Sequence, residues 1–172
     1  HVDTAALYGN EEGVGKALRD FTAGSNVVRD EIFVTTKVWN TDQGYDSTLR
    51  AFDASMSRLD LDVLDLYLIH WPCPERGLFV DTYRAMEELY RSGRVRAIGV
   101  SNFQPNHLRQ LMDATDVVPA VNQVELHPWL QQHELTNLHR EHGIRTVAWS
   151  PLGRGAVLSD PVITSIAADL GV

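Results

Sequence analysis

Short apolar runs and helical patterns alternate along this chain from end to end. Ile32-Phe33-Val34-Thr35-Thr36-Lys37 is β-branched and aromatic and reads as a strand. Val63-Leu64-Asp65-Leu66-Tyr67-Leu68-Ile69-His70 is a nearly continuous apolar run, the pattern of a strand covered on both faces. Residues 95–100, 120–124 and 145–149 are further strand candidates, and His1-Val2-Asp3 is a short stub. Between these runs the period changes to that of a helix. Val14, Ala17, Leu18 and Phe21 recur at i, i+3, i+4, i+7, with Asn10 as the candidate N-cap and Glu11 and Glu12 in the first turn. Leu49, Phe52, Met56 and Leu59 share one face of a second helix. Tyr83, Met86, Leu89 and Tyr90 mark a third, with Gly93 placed to stop it. Pro105, Leu108, Leu111 and Met112 mark a fourth, and Leu135, Leu138 and His142 before Gly143 a fifth. In the sixth, Asp160 is the candidate cap and Pro161 lies in the first turn. Ile163, Ile166, Ala167 and Leu170 follow before Gly171.

Six strand candidates, each followed by a helix, predict an α/β fold with parallel strands. Repeated crossovers of this kind build either an open doubly wound sheet or a closed (β/α)8 barrel. Periodicity alone does not choose between them.

Composition narrows the function classes. The chain has 172 residues, 44% of them hydrophobic, which suits one globular domain spanning 1–172. No apolar run approaches the about 18–20 residues of a membrane span. The start has neither the basic nor the apolar region of a signal peptide, and without a methionine it reads as trimmed. Cys73 is the single cysteine, so an internal disulfide and a cysteine-based zinc site are excluded and a reducing compartment fits. A net charge of −8 argues against phosphate-backbone binding. The expectation is a cytoplasmic protein with neither nucleic-acid nor membrane partners.

The polar residues at the strand ends carry the chemistry. Asp3 follows the first strand, with Tyr8 in a short loop beyond it. Lys37 ends the second, followed by Trp39, and His70 ends the third, followed by Trp71. Ser101 and Asn102, then Gln123 and Glu125, then Trp149 and Ser150 close the later strands. In a parallel barrel such ends converge on one face. A phenol, with a reference pKa of about 10, is a weak acid at neutral pH. A neighbouring ammonium favours phenolate, and a carboxylate holds the ammonium in place. The set Tyr8, Lys37 and Asp3 can therefore donate a proton to a carbonyl oxygen as charge builds there. His70 can hydrogen-bond the same oxygen, with Trp39 and Trp71 as an apolar wall. Ser101, Asn102 and Gln123 offer the donors and acceptors that clamp a carboxamide such as that of nicotinamide. Trp149 offers a flat face for its ring. A proton donor beside a nicotinamide clamp amounts to carbonyl reduction.

Each residue alone has a plainer reading. A lysine at a strand end is ordinarily solvated, an isolated Asp3 or Asn102 is a cap or turn residue, and a tryptophan near a core is packing. The ordered set is the signal. Gly9, Gly13 and Gly15 do not form a dinucleotide fingerprint, and tight packing is the expected use. His139 and His142 are placed on a solvent-facing helix without metal-ligating partners, and no metal site is expected.

The motifs resemble one family. Asp3-Thr4-Ala5-Ala6-Leu7-Tyr8-Gly9-Asn10-Glu11 is similar to the first signature of the aldo-keto reductases. Leu68-Ile69-His70-Trp71-Pro72, Gly99-Val100-Ser101-Asn102-Phe103, Asn122-Gln123-Val124-Glu125-Leu126-His127-Pro128 and Trp149-Ser150-Pro151-Leu152-Gly153 resemble later blocks in order. The resemblance implies a (β/α)8 barrel that binds NADPH and passes hydride from nicotinamide C4 to an aldehyde, ketone or keto-sugar. By position, Tyr8 is the acid, tuned by Asp3 and Lys37, and His70 orients the carbonyl. Ser101, Asn102 and Gln123 hold the carboxamide, Trp149 stacks on the ring, and Ser150 and Leu152 approach the pyrophosphate. Trp149 and the short loop over 73–80 resemble the bacterial branch that includes 2,5-diketo-gluconate reductases. The family has a strand before the equivalent of Asp3 and a further strand-helix portion of the barrel after that of Leu170. The resemblance therefore implies an incomplete barrel, about strands two to seven, of an enzyme that is a monomer at full length. The residues that choose NADPH over NADH belong to the later units. The same fold also serves as a cofactor-binding regulatory subunit, and an inactive fragment is a third reading.

Overall fold

The computed structural model describes residues 1–172 and contains six strands and six α-helices in strict alternation. In chain order these are β1 (Val2–Asp3), α1 (Glu11–Ala23), β2 (Val34–Val38), α2 (Tyr45–Leu59), β3 (Leu64–Ile69) and α3 (Phe79–Arg91). They continue as β4 (Val95–Ser101), α4 (Pro105–Ala114), β5 (Val121–Glu125), α5 (His133–His142), β6 (Arg145–Trp149) and α6 (Pro161–Leu170). Every predicted strand and helix is present. The strands pair in parallel, and their spatial order is their order in the sequence, β1 to β6. A doubly wound sheet reverses direction at a switch point. This sheet never does, which selects the barrel-type arrangement. It also curls. Four strand steps at about 4.8 Å would hold the ends of β1 and β5 about 19 Å apart in a flat sheet. Yet the Gln123 amide donates to the Asp3 carboxylate at 2.7 Å.

Strand residues alternate between the two sides of this curve. Val34 and Val38 pack into the main apolar core against the helices, with Phe52, Tyr67, Ile98 and Leu111. Thr36 points the same way and donates to buried Glu11 at 2.6 Å, while Arg58 donates to the second Glu11 oxygen at 2.7 Å. Lys37 points inward. The N-terminal ends of the strands are stitched by Asp65, which accepts from Arg29 at 2.8 Å, Arg96 at 2.9 Å and the Val34 backbone N–H at 2.9 Å. That last bond explains where β2 begins. Val34 is capped by a carboxylate, so Ile32 and Phe33 fall outside the strand.

Several local expectations are corrected. Asn10 precedes α1 but makes no capping bond, because its side chain accepts from the Thr4 hydroxyl at 2.6 Å. Asp160 does cap α6, accepting from the Val162 and Ile163 N–H groups. Phe21 keeps the helical period but is 54% exposed, on an apolar groove shared with Val14, Leu18 and Val27. His139 lies in the core, not on a solvent face, since it sits four residues after Leu135 and thus on the same buried side of α5. Gln123 lies within β5, inside the expected 120–124 run, and Glu125 is the strand's last residue, one position beyond that run.

Two glycines in α1 separate packing from mere permissiveness. A Cβ on Gly15 would stand 2.8 Å from the Leu59 carbonyl carbon and closer still to its oxygen, whereas one on Gly13 meets nothing. Gly15→Ala should therefore destabilise the fold by about 1–3 kcal/mol, as backbone must shift. Gly13→Ala should stabilise it by about 0.5–1 kcal/mol through helix propensity. Thermal melts of the two variants check the opposite signs.

Candidate active site

The C-terminal ends of the strands converge on one face, and nearly every polar residue predicted there is in place. Lys37 is the clearest case. A lysine at a strand end is ordinarily solvated, yet this one is 1% exposed. Its ammonium donates to the Asp3 carboxylate and, at 3.0 Å, to the Thr4 carbonyl. Burying a charge is tolerable only with such partners. Thr4 and Ala5 are buried, and a 3-10 turn over Ala6–Tyr8 then lifts Tyr8 to the surface. Gly9 closes that turn in the left-handed region, φ +64°, which favours glycine. Tyr8 ends up 50% exposed, with the Lys37 ammonium 5.3 Å from its ring centroid.

His70 follows β3 and completes the group. Its ring meets Tyr8 edge-on at 5.7 Å and Trp39 at 5.1 Å. The imidazole is buried, its Nδ1 has no hydrogen-bond partner, and its pKa is lowered to about 4. Burial is the larger cause, and the nearby Lys37 charge adds to it while Asp3 opposes. At neutral pH His70 is uncharged. Trp71 is partly exposed one residue on, and its carbonyl accepts from the Gln43 amide at 2.7 Å.

The amide and hydroxyl residues form a second, contiguous group. Asn102 adopts φ +64°, a region that asparagine tolerates. Its amide nitrogen donates to the His70 carbonyl at 3.0 Å and to the Ser101 hydroxyl at 3.1 Å. Its amide oxygen accepts from the Trp149 indole N–H at 2.9 Å. Ser101, buried, donates to the Gln123 carbonyl at 2.7 Å. Gln123 reaches Asp3, so the two groups touch. Ser150 and Leu152 lie in the loop after β6, with Ser150 at φ +49° and the Leu152 side chain exposed.

Sequence reasoning passed over the residues that hold this face from behind. Glu11 reads as an ordinary first-turn acid, but it is buried and ties α1 to β2 and α2 through Thr36 and Arg58. Asn122 was visible only as a neighbour of Gln123. It is fully buried and bonds the Phe103 backbone and His139. The signal for His139 was its i+4 spacing from Leu135.

Comparison with known proteins agrees with this geometry. Residues 1–164 match the Aldo/keto reductase family. An aldo-keto reductase of Mycobacterium sp. (strain JLS) is 58% identical over 171 residues, covering 99% of this chain and 60% of that protein. The glyoxal reductase of Bacillus subtilis (strain 168) is 53% identical over 166 residues, covering 96% of this chain and 58% of the relative. The crystal structure of a Gox0644 variant in complex with NADPH superimposes with a TM-score of 0.90 at 56% identity, over 98% of this chain and 59% of the other. The chain thus spans about three-fifths of the length of the curated relatives it matches. On the family match, the relatives and the shared barrel-type fold together, this chain belongs to the aldo/keto reductase family.

Proposed function

We propose that the protein is an NADPH-dependent carbonyl reductase in which Tyr8 is the general acid. The observation that carries this reading is the convergence of Tyr8, Lys37, Asp3 and His70 on one face from three strand ends. A nicotinamide cofactor fits the second group. Trp149, fixed through its indole N–H by Asn102, keeps a half-buried ring for stacking. Ser101, Asn102 and Gln123 bring hydroxyl, amide N–H and amide C=O groups to adjoining strand ends, the chemistry a carboxamide requires. In this reading Ser150 and Leu152 border the pyrophosphate. NADPH, when bound, supplies the hydride, and the protein supplies orientation and electrostatics.

The chain's own residues divide the remaining work. Neutral His70 has no extra proton to give at pH 7, so the proton comes from Tyr8 while His70 orients the carbonyl oxygen by a hydrogen bond. Lys37, pinned by Asp3 and the Thr4 carbonyl, stabilises the phenolate left behind. Trp39, edge-on to His70, and Trp71 flank the carbonyl with apolar surface. Small aldehydes, ketones and keto-sugars are the substrate class. The Bacillus subtilis glyoxal reductase makes glyoxal the first compound to assay.

Tyr8→Phe is expected to lower NADPH oxidation with glyoxal by about 10²–10⁴-fold, the range for losing a positioned acid. NADPH affinity, followed by fluorescence, should stay within about twofold, because the phenol acts on the reacting carbonyl and not on cofactor binding. Wild-type turnover in this variant would remove Tyr8 from the mechanism. The His70 resonances should titrate near pH 4 in the folded protein. Because that value lies below the usual 6.5, the unfolded chain binds the extra proton first. The His70 contribution to stability is present in full above pH 6.5 and is lost as pH falls towards 4. Denaturant melts across that window should show the loss, and a His70→Gln variant should show a shallower one.

A further inference from the structure

Behind the carboxamide group lies a buried polar chain that the proposed reaction does not use. Asn122 on β5 points away from the site, opposite to Gln123, and both it and His139 are buried. Its amide nitrogen donates to the Phe103 carbonyl at 2.9 Å, and its amide oxygen accepts from the Phe103 N–H at 3.4 Å. One side chain thus holds both backbone groups of the residue that follows Asn102. The second amide hydrogen meets His139 Nε2 at 2.9 Å, and His139 Nδ1 lies 2.8 Å from the Thr146 hydroxyl on β6. These contacts fix the hydrogens. An amide nitrogen has no lone pair to offer, so His139 Nε2 is the acceptor. The imidazole proton then sits on Nδ1 and is donated to Thr146. Rotating the Asn122 amide would set its oxygen against the Phe103 carbonyl, which the network forbids.

We propose that His139 is a positioning residue for the nicotinamide clamp, acting through Asn122 on the end of β4 and the start of the following loop, where Ser101 and Asn102 lie. This rests on the reductase reading for what the clamp binds, while the anchoring itself rests on the contacts above. The loop needs an anchor because Asn102 sits in the left-handed region, and its two amide groups must face His70 and Trp149 at once. Phe103 supplies packing against Phe79, with ring centroids 5.4 Å apart, but packing does not set the rotation of a backbone. Two hydrogen bonds from Asn122 do. His139 in turn selects the Asn122 rotamer, since any other leaves a buried donor unpaired. Burial pushes the His139 pKa down, which keeps the imidazole in the neutral form that can accept from Asn122.

The test is made on the full chain with NADPH as ligand. In His139→Leu the indole N–H cross-peak of Trp149 and the carboxamide cross-peaks of Asn102 should move or broaden in ¹⁵N spectra without cofactor. The Kd for NADPH should rise about tenfold, the equivalent of one buried hydrogen bond. Turnover at saturating NADPH should change less than about twofold, because the lost contact is uniform binding. His139→Gln, which can accept from Asn122 and donate to Thr146, should restore both the spectra and the affinity. A folded His139→Leu protein with the cross-peaks of Asn102 and Trp149 unmoved would overturn the proposal. So would moved cross-peaks with unchanged NADPH affinity. Should the leucine variant fail to fold, Thr146→Val carries the test. It removes the Nδ1 acceptor and lets the proton move to Nε2, against Asn122, so the same cross-peaks must move. A wild-type chain that binds no NADPH sinks the reductase reading instead, and displaced cross-peaks in His139→Leu would still establish the anchor.

Discussion

The buried Lys37 ammonium is the constraint on which the rest of the site depends. Removing a charge from water costs several kcal/mol unless partners replace the water. Here the partners are the Asp3 carboxylate and the Thr4 carbonyl, both from the segment around β1. That strand has two residues and two register pairs, too little to hold itself in place. The ion pair therefore orders β1 against β2, and with it the buried Thr4-Ala5 step and the turn that presents Tyr8. Structure and chemistry share one interaction. The same cation that secures the strand faces the phenol.

From that corner a series of side-chain bonds ties the remaining strand ends together. Gln123 joins β5 to Asp3, Asn102 joins the end of β4 to the His70 carbonyl, and Trp149 joins β6 to Asn102. The sheet is curved enough to let strands four steps apart meet, and each bond in turn preserves the curvature. Groups held this way lose little freedom when a ligand arrives, which is the sense in which such a face is preorganised. The opposite ends of the strands carry a separate network centred on Asp65, which adds to the hold on β2 and β3 without reaching the site.

This division explains which features were legible in the sequence. Strands and helices show because their signals are local. The β-branched run at 32–37 and the Leu49-Phe52-Met56-Leu59 face need no distant residue to be recognised. The strand-end order Asp3, Tyr8, Lys37 and His70 was legible for the same reason, as a sequence of types at successive ends. What failed was whatever depends on a remote partner. The start of β2 is set by Asp65, the side chain of Asn10 is drawn away by Thr4, and the burial of Lys37 is decided by Asp3. His139 shows the other kind of miss. Its periodicity placed it inward, but a histidine followed by Arg140 and Glu141 is read as solvent-facing until Asn122 and Thr146 are seen to satisfy it.

The carboxylates sharpen the point, because composition treats all acidic side chains alike. Asp65, Glu11 and Glu87 are each nearly inaccessible, and each is matched by arginine or backbone N–H donors. Such a carboxylate has little capacity left for a ligand, and its role ends with the fold. Asp3 differs. Its side chain is 32% exposed although its partner Lys37 is almost fully buried. It accepts from Lys37 on one oxygen and from Gln123 on the other, linking the cation beside the phenol to the amide group beside Trp149. A change in the hydrogen bonding of Gln123 therefore reaches the Lys37 ammonium through a single carboxylate. In the proposed reductase, that linkage makes occupation of the clamp and the field at the phenol two ends of the same interaction.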